Sequence, residues 1–533
     1  MATTMTADPW WKGAVLYQIY PRSFQDTDGD GVGDLPGILS RLDYVAGLGV
    51  DGIWLSPVFT SPMRDFGYDV ADYCGIDPLF GTLDDFDALV AGCHARGLKL
   101  IIDQVYSHTS DQHPWFTQSR SSRNNPKADW YVWADPKPDG TAPNNWLAVF
   151  GGTAWTWDGR RRQYYLHNFL TSQPDLNLHR PDVQAAILQV AQFWLDRGVD
   201  GFRLDVADFY THDRQLRDNP PAEGGLRDRP WQFQRHLHNI DQPETLPFVE
   251  RLRAVTDAAP GRMMVAELAS DQSLRCMVDY TRGEHRFHTA YSFVFLGPQF
   301  GADFVRDQVE KIAARGPDAW PSWAFSNHDV VRAATRWGAG RPRRYLKMLI
   351  ALLTTLRGTA FLYQGEELGL PQAEVPFTRL VDPEGIALWP NNQGRDGCRT
   401  PMPWSATGPQ AGFSQVEPWL PVSDAQRPLA VDQQTDDPDS VLTFTRQWLA
   451  WRRARTGLAA ADMTFVDLPG KTLAFLRGDG PGRLLFLFNL GDEDTRTALP
   501  AGAWTPVFQL DAVLEYTAVV LPCGGLLVVR LED

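Results

Sequence analysis

The segment Gly201-Phe-Arg-Leu-Asp205-Val206 has the composition of a short buried strand that ends on a charged residue. A helical pattern over 182–198 precedes it, with Pro181 just before its start and Gly198 at its end. Apolar strands that alternate with such helices are typical of a parallel sheet. Because the carboxyl ends of parallel strands meet at one face, we expect Asp205 at the functional face of an α/β fold.

The same alternation of strand and helix extends in both directions from this segment. The predicted strands cover 14–20, 50–55, 98–103, 201–206, 263–268, 290–296, 322–327 and 359–364. Helical patterns cover 35–49, 84–97, 182–198, 247–258 and 343–356. Eight parallel strands that alternate with helices close into a barrel, so the predicted fold class is α/β with a (β/α)8 TIM barrel.

Two departures from the alternation predict further domains. The stretch between the third and fourth strands is rich in Trp, Pro, Asn and Asp and is too long for a plain loop. We assign residues 105–177 to an inserted subdomain and residues 1–104 and 178–457 to the barrel. After a helical pattern at 439–456, alternating strands predict a C-terminal antiparallel β-sandwich domain over 458–533, with strands at 473–477, 483–489, 506–510 and 518–531.

The composition excludes several classes of protein. Hydrophobic residues make up 43% and charged residues 22% of the 533, as in a globular protein with a large core. A formal net charge of −15 argues against nucleic acid or an anionic membrane as partner. Five cysteines without CxxC spacing argue against a disulfide framework and a structural zinc site. Residues 1–11 lack a signal-peptide pattern and no long apolar run occurs, so we expect a cytoplasmic protein.

Carboxyl and imidazole side chains end several of the predicted strands. The third strand runs into Asp103-Gln-Val-Tyr-Ser-His108, the fifth ends at Glu267, and the seventh runs into His328-Asp329. Any one of these acids could cap the following helix. Three acids at one mouth of the barrel are better explained by a catalytic role; they are Asp205, Glu267 and Asp329.

A cluster of carboxyl groups is what glycoside hydrolysis requires. One carboxylate attacks the anomeric carbon while a protonated carboxyl donates to the departing oxygen. Burial and a neighbouring anion raise the pKa of the donor and keep it protonated. A two-metal hydrolase is the alternative, but it usually needs bridging carboxylates and several histidine ligands, which are poorly arranged here.

The strand ends resemble, in the same order along the chain, the motif set of glycoside hydrolase family 13, the α-amylase family. Three further segments resemble motifs of its oligo-1,6-glucosidase/α-glucosidase branch: Gln173-Pro-Asp-Leu-Asn177, Tyr363-Gln-Gly-Glu-Glu367 and Gly394-Arg-Asp-Gly-Cys-Arg399-Thr-Pro-Met-Pro-Trp404. The resemblance covers nearly the whole chain, including the insert and the C-terminal domain.

The resemblance implies roles for the residues at the strand ends. Asp205 matches the nucleophile that forms a β-glucosyl-enzyme, and Glu267 matches the acid/base. Asp329 matches the carboxylate that binds sugar hydroxyls and stabilises the transition state. Arg203 lies two residues before the nucleophile on the same strand face and would hold it ionised.

The resemblance also implies residues that bind the terminal glucose. Tyr68 matches a tyrosine that stacks on the sugar ring, and His108 and His328 match histidines that bond to its hydroxyls. Asp65 and Arg399 match a charged pair that closes the pocket around this sugar. Such a pair blocks longer chains and favours an exo-acting enzyme.

The loop Asp26-Thr-Asp28-Gly-Asp30-Gly-Val32-Gly-Asp34 has carboxylates at EF-hand positions 1, 3, 5 and 9. Position 12 is Gly37 instead of the required Glu, so the loop is not an EF-hand. It is similar to the single calcium loop of the oligo-glucosidase branch. The resemblance therefore implies one structural Ca²⁺ ion with ligands from Asp26, Asp28, Asp30, Val32 and Asp34.

The sequence departs from the family pattern before His108, where Ser107 replaces an Asn that supports calcium in typical amylases. The amylase calcium site between barrel and insert is therefore not expected. Val206, next to the nucleophile, accompanies α-1,6 specificity in this branch. The polar segment 211–244 is expected to line the acceptor side and could override that single position.

The function that these features imply is that of a retaining exo-α-glucosidase. It would hydrolyse terminal α-glucosidic bonds of short oligosaccharides and transfer glucose to other hydroxyls. A sucrose or maltose isomerase of the same family is the first alternative. The second is a non-catalytic barrel, as in the heavy subunits of amino-acid transporters, which needs a membrane-spanning helix. The expected partner is a small α-glucoside, and the expected assembly is a monomer or homodimer.

Overall fold

The computed structural model describes residues 8–224, 229–270, 272–316, 318–455, 457–468, 471–516 and 518–532. Its centre is a parallel sheet of eight strands: Val15–Ile19, Gly52–Leu55, Lys99–Gln104, Gly201–Leu204, Met263–Leu268, Thr289–Ser292, Ser322–Ala324 and Thr359–Tyr363. Strands that follow each other in the chain are neighbours in the sheet, and the first also pairs with the eighth. A parallel bridge between Ala290 and Pro321 joins the sixth strand to the seventh. The predicted (β/α)8 barrel is therefore confirmed.

The sixth and seventh barrel strands end well before residues 296 and 327, where the sequence pattern predicted their ends. The sixth strand stops at Ser292, whose side chain caps a 3-10 turn over Phe293–Phe295. The seventh strand stops at Ala324, three residues before Asn327. Both apolar runs continue into buried turns, and periodicity alone does not separate a buried turn from a buried strand.

Helices surround the barrel: Leu35–Ser40, Leu42–Leu48, Leu83–Ala95, Pro181–Asp196, Thr245–Thr256, Ser273–Thr281, Ala302–Arg315 and Arg343–Thr355. The predicted helix 35–49 is divided at Arg41, whose backbone leaves the helical region. A capping box between Thr82 and Asp85 starts the third helix, and Pro181 occupies the first turn of the fourth. No helix of the described residues combines the length and the apolar character needed to cross a membrane.

The barrel strands are buried on both faces. Inside the barrel, Leu16, Trp54, Ile101, Val265 and Phe361 belong to one apolar cluster. The alternate residues of the same strands pack under the helices in a second, larger cluster. Because both faces are covered, the middle of each strand is mostly apolar, and the acidic side chains of the site come at the carboxyl ends.

The insert between the third and fourth strands contains the helix Pro114–Ser121 and an antiparallel sheet of Trp133–Ala134, Gln163–Leu166 and Trp155–Asp158. Trp146 and Trp155 are buried in an apolar cluster of the insert itself. A bridge between His108 and Asp175 joins the two ends of the insert at the barrel rim. The insert therefore stands beside the mouth of the barrel. A short hairpin, Phe59–Thr60 with Asp72–Ile76, follows the second strand.

A short helix at Ala333–Arg336 lies between the seventh and eighth strands. After the eighth strand the chain forms short helices at Pro383–Leu388 and Val431–Gln434, and then the helix Val441–Arg453. Two antiparallel sheets follow. One contains Met463–Phe465, Thr472–Arg477, Leu484–Asn489, Leu526–Leu531 and Trp504–Leu510, and the other contains Thr495–Ala498, Ala518–Leu521 and Val513–Glu515.

The predicted strand 518–531 is wrong as a single strand, because the chain turns at Gly524. This residue has φ +75°, and a Cβ atom there would lie 2.7 Å from the Tyr345 backbone. The predicted helix 439–456 ends at Arg453, and Thr456 lies outside the described residues. Most of the segment 1–11, in which no signal-peptide pattern was found, also lies outside the described residues, since these begin at residue 8.

Candidate active site

A pocket of about 260 Å³ opens at the carboxyl ends of the barrel strands. Asp205 comes directly after the fourth strand, Glu267 lies on the fifth, and Asp329 follows the seventh. All three line the pocket. The barrel topology thus brings together the three carboxyl groups that the sequence placed at strand ends.

Arg203 connects the acidic side chains at the base of the pocket. Its Nη1 donates hydrogen bonds to Asp205 Oδ1 at 2.5 Å and to Asp103 Oδ1 at 2.8 Å. Its Nη2 donates to Tyr291 Oη at 3.0 Å and lies 2.6 Å from Glu267 Oε1. The guanidinium is fully buried, so these charged contacts are not weakened by solvent.

The geometry distinguishes Asp205 from Glu267. Asp205 accepts an aligned hydrogen bond from Arg203, which stabilises its ionised form. Glu267 accepts its hydrogen bonds from Tyr291 Oη at 2.9 Å and from the Val206 backbone N–H at 3.3 Å. An ionised Asp205 beside a Glu267 that carries the proton is the arrangement that these contacts favour.

Burial raises the pKa of Glu267 to about 7, with Arg203 opposing the rise and Asp205 and Asp329 adding to it. Burial also raises the pKa of Asp205, against the opposing charge of Arg203. Because each anion raises the pKa of the other, the second proton of the pair is harder to remove than the first. The pair therefore keeps one proton near neutral pH.

Asp329 is ionised for a different reason. Burial acts to raise its pKa, but the nearby cationic side chains outweigh burial and lower the pKa below its ordinary value. Arg399 Nη2 donates to Asp329 Oδ1 at 2.8 Å, and Arg395 Nη1 lies 3.5 Å from the same oxygen. The site thus has one carboxylate whose charge is kept over the whole physiological pH range.

The prediction that Asp65 pairs with Arg399 is wrong, because the partner of Asp65 is a different arginine. Asp65 pairs with Arg395, whose Nη2 donates to Asp65 Oδ1 at 2.8 Å. Arg395 also bonds to Asp382, and the whole group is buried. Arg399 instead donates from Nε to the His328 carbonyl and from Nη2 to Asp329. The two arginines flank the short 3-10 turn Asp396–Cys398, so they point to different carboxylates.

Tyr68 and His328 form a buried chain with Asp103. Gln18 Nε2 lies 2.8 Å from His328 Nδ1 and can only donate, so Nε2 of His328 carries the hydrogen. That nitrogen lies 2.6 Å from Tyr68 Oη, which in turn donates to Asp103 Oδ2 at 3.0 Å. Tyr68 lines the pocket, whereas His328 packs on the Tyr68 ring at a centroid distance of 5.3 Å and is not among the lining residues.

His108 lines the pocket and is held by the insert. Its Nδ1 lies 2.8 Å from Ser107 Oγ, and its Nε2 lies 3.1 Å from the Tyr68 carbonyl oxygen. Gln173, which is near both His108 and Asp65, donates to Asp65 Oδ2 at 2.9 Å. Burial lowers the pKa of His108 to about 4, so the imidazole is neutral and available for hydrogen bonds.

One side of the pocket is apolar and was not anticipated residue by residue. Its walls come from the insert, from the loop after the fourth strand and from the later barrel loops: Val149, Phe150, Phe169, Val206, Phe209, Trp231, Ala269, Phe293 and Val330. Trp231 and Arg229 belong to the segment 211–244 that was expected on the acceptor side. The sequence analysis also assigned no role to Asp103, which binds Arg203, or to Asp382, which binds Arg395. The role of Asp103 could have been predicted, because this residue lies at the end of the third strand.

Three carboxylates converge in the loop after the first strand. Ligand atoms of Asp26, Asp28 and Asp34 lie within 4.8 Å of one another. Asp34 also caps the helix Leu35–Ser40 through the Gly37 N–H. Asp30 Oδ1 accepts from the Val32 N–H at 2.7 Å instead and does not belong to this group. The three oxygens fit a hard divalent cation, because such cations bind carboxylate oxygen and relieve the mutual repulsion.

Comparison with known proteins identifies the family of the chain. The family model described as the alpha amylase catalytic domain matches residues 18–461. The chain belongs to the α-amylase family. It is a glycoside hydrolase.

Members of the α-amylase family with similar sequences carry glucosidase names. The chain is 52% identical to a probable alpha-glucosidase of Rhizobium meliloti (strain 1021), over 98% of this chain and 97% of that one. It is 36% identical to an oligo-1,6-glucosidase of Heyndrickxia coagulans, over 93% and 94%.

Solved structures of the family superpose over nearly the whole chain. XgtA, described as an alpha-glucosyl transfer enzyme, has a TM-score of 0.95 at 51% identity and covers 98% of this chain and 100% of its own. The trehalulose synthase MutB from Pseudomonas mesoacidophila MX-45 has a TM-score of 0.91 at 30% identity, over 99% and 100%.

Proposed function

We propose that the protein is a retaining, exo-acting α-glucosidase. The observation that carries this proposal is the pair Asp205 and Glu267 on two nitrogens of one buried guanidinium. We expect two carboxyl groups that share one guanidinium to lie about 5–5.5 Å apart, as a nucleophile and an acid/base do in retaining enzymes. The glucosidase names of the relatives support the choice of α-glucosides as substrates.

The proposed reaction has two steps. Asp205 attacks the anomeric carbon and forms a β-glucosyl ester, while Glu267 gives its proton to the leaving oxygen. Glu267 then removes a proton from water, whose oxygen displaces Asp205 and yields α-glucose. Asp329, which Arg399 keeps ionised, stabilises the positive charge that develops at the anomeric centre.

The closed end of the pocket supports exo action. Asp65 and Arg395 form a buried pair, and Gln173 fixes the second oxygen of Asp65. Tyr68 and His108 line the pocket next to them. We infer that a terminal glucose fills this end, because a buried ion pair leaves no path for a chain that continues beyond it.

The apolar acceptor side supports glucosyl transfer as a second outcome. Any alcohol that binds there competes with water for the glucosyl-enzyme. The printed description of XgtA as a transfer enzyme agrees with this proposal, and its sequence is 51% identical. The similarity to a trehalulose synthase keeps the isomerase as a second candidate, at a lower identity of 30%.

Initial rates on maltose, isomaltose, sucrose, kojibiose and nigerose test the proposal, with the products identified by NMR. We expect α-glucose as the first anomer released and loss of turnover in the Asp205→Asn variant. Asp196→Asn, at an exposed helical position, serves as the control. Release of β-glucose, or near-native activity of Asp205→Asn, would contradict the mechanism. Rearranged disaccharide in place of glucose from sucrose would favour the isomerase.

We also propose that Asp26, Asp28 and Asp34 hold a structural Ca²⁺ ion. The proposal depends on the convergence of their carboxylates and on the oxygen-only donor set. The loop lies away from the pocket, so the ion would stabilise the fold and take no part in the reaction.

A further inference from the structure

One ion pair joins two loops that start on opposite sides of the barrel. Arg229 Nη1 lies 3.0 Å from Glu384 Oε1. Arg229 belongs to the loop after the fourth strand, and Glu384 lies in the helix Pro383–Leu388 after the eighth strand. Strands four and eight face each other across an eight-stranded barrel. A contact between their loops must therefore cross the mouth of the barrel.

Both residues of this pair line the pocket that holds the catalytic carboxyl groups. Glu267, the proposed proton donor to the leaving group, bonds to the Val206 N–H. Val206 begins the wall that leads through Phe209 to Trp231, whose ring stacks on Phe209 at 5.8 Å. Arg229 precedes Trp231 by two residues, so the ion pair lies on the leaving-group side of the pocket.

The two halves of the pair differ in how firmly they are held. Glu384 is 2% exposed, its Oε1 also accepts from Asn392 Nδ2 at 3.1 Å, and its backbone N–H bonds to Asp382. The Arg229 side chain is 35% exposed. A partly exposed ion pair is weak and a long side chain loses entropy in forming it, so Arg229 is the partner that can move away.

We propose that Arg229 and Glu384 form a clasp that sets the length of the leaving group. When the clasp is closed, Asp65 and Arg395 close the glucose end of the pocket, and Arg229 and Glu384 bridge its mouth. One sugar or a small aglycone fits beneath it, whereas a longer chain must keep it open. This inference depends on the proposed α-glucosidase function, because it concerns the substrates of the same site.

The test compares chain lengths in three variants: Arg229→Gln, Glu384→Gln and the double variant. The measured quantity is the kcat/KM ratio of trisaccharide to disaccharide, for maltotriose against maltose and isomaltotriose against isomaltose. We expect each single variant to raise this ratio at least about fivefold and the double variant to add little, since both changes open the same contact. Arg229→Lys, which keeps the charge, should restore much of the wild-type ratio.

Arg379→Gln is the matched control, because it removes an ion pair with Glu417 in the same late loop region. Arg379 and Glu417 are not among the residues that line the pocket. Its ratio should equal that of the wild type. A nitrophenyl α-glucoside, whose aglycone fits beneath the clasp, measures the proposed function separately from chain length.

An unchanged ratio in Arg229→Gln and Glu384→Gln, with active and folded enzyme, would overturn the clasp and leave the α-glucosidase proposal intact. A wild-type enzyme that cleaves none of the glucosides would overturn both. A ratio that changes in Glu384→Gln alone would also overturn the clasp, because a pair requires the same effect from either partner.

Discussion

Asp103 accepts a hydrogen bond of 2.8 Å from Nη1 of Arg203, the nitrogen that also bonds to Asp205. Asp103 is fully buried, and Trp54 Nε1 and Tyr68 Oη donate to its other oxygen. It touches neither the pocket nor any group that reacts. We interpret Asp103 as a positioning residue that fixes the Arg203 guanidinium next to Asp205, the proposed nucleophile.

Replacement of Asp103 by Asn is expected to lower kcat at least about tenfold, which corresponds to about 1.4 kcal/mol of lost positioning. The charge of Asp103 raises the pKa of Asp205, so its removal should lower that pKa. The acidic limb of the kcat profile should therefore move to lower pH. If Asp103 had only a structural role, the acidic limb of the kcat profile would stay at the same pH. Asp196→Asn is the control, and rates from pH 4 to 9 measure the effect.

The pH dependence should also report Glu267. Its pKa is raised by burial to about 7, and only the protonated carboxyl can donate to the leaving oxygen. For natural disaccharides, kcat/KM should be highest below pH 7 and should fall about tenfold per pH unit above it. Glu267→Gln should abolish this basic limb. It should impair maltose far more than a nitrophenyl glucoside, whose leaving group needs no proton; equal losses would contradict the acid role.

The buried ion pair of Asp65 and Arg395 is predicted to contribute to substrate binding in the ground state. Asp65→Asn keeps the volume but removes a charge from the closed end, and Arg395 still has Asp382 as a partner. We expect KM for glucosides to rise about tenfold or more with a smaller change in kcat. Arg64→Gln, in the adjacent and exposed position, should behave like the wild type. A fall in kcat alone would show that the pair acts on the transition state instead.

The carboxylates of the first loop predict a response to calcium. Millimolar CaCl₂ should raise the thermal midpoint by a few degrees, because a ligand at 100 times its Kd stabilises a fold by about 2.7 kcal/mol. Asp28→Ala should lose this response, while Asp43→Ala, an exposed acid elsewhere, should retain it. Initial rates at low temperature should be the same with calcium and with EDTA. Absence of any shift by calorimetry would contradict the site.

Much of the candidate active site could be predicted from strand ends alone. Asp205, Glu267 and Asp329 are distant in sequence, yet each follows an apolar run that had to be a buried strand. Parallel strands in a closed barrel allow only one mouth for their carboxyl ends. The positions of these three side chains therefore follow from hydrophobic pattern and topology.

The choice between Arg395 and Arg399 could not be made in this way. They are four residues apart in one loop, and each has a carboxylate within reach. The turn between them directs Arg395 to Asp65 and Arg399 to Asp329, and loop conformation of this kind is not encoded in residue spacing. The contact of Arg229 with Glu384 is similar, since it depends on where two long loops cross the barrel.

The helix Val441–Arg453 has a consequence for the design of shorter enzymes. Its Trp448 donates to Thr354 Oγ1 of a barrel helix at 2.8 Å and packs on Phe508 of the C-terminal sheet at 4.7 Å. The Trp448 indole therefore contacts both the barrel and the C-terminal domain. A chain cut after this helix would expose the apolar surface that the C-terminal sheet covers, so we expect such a shortened chain to be less stable.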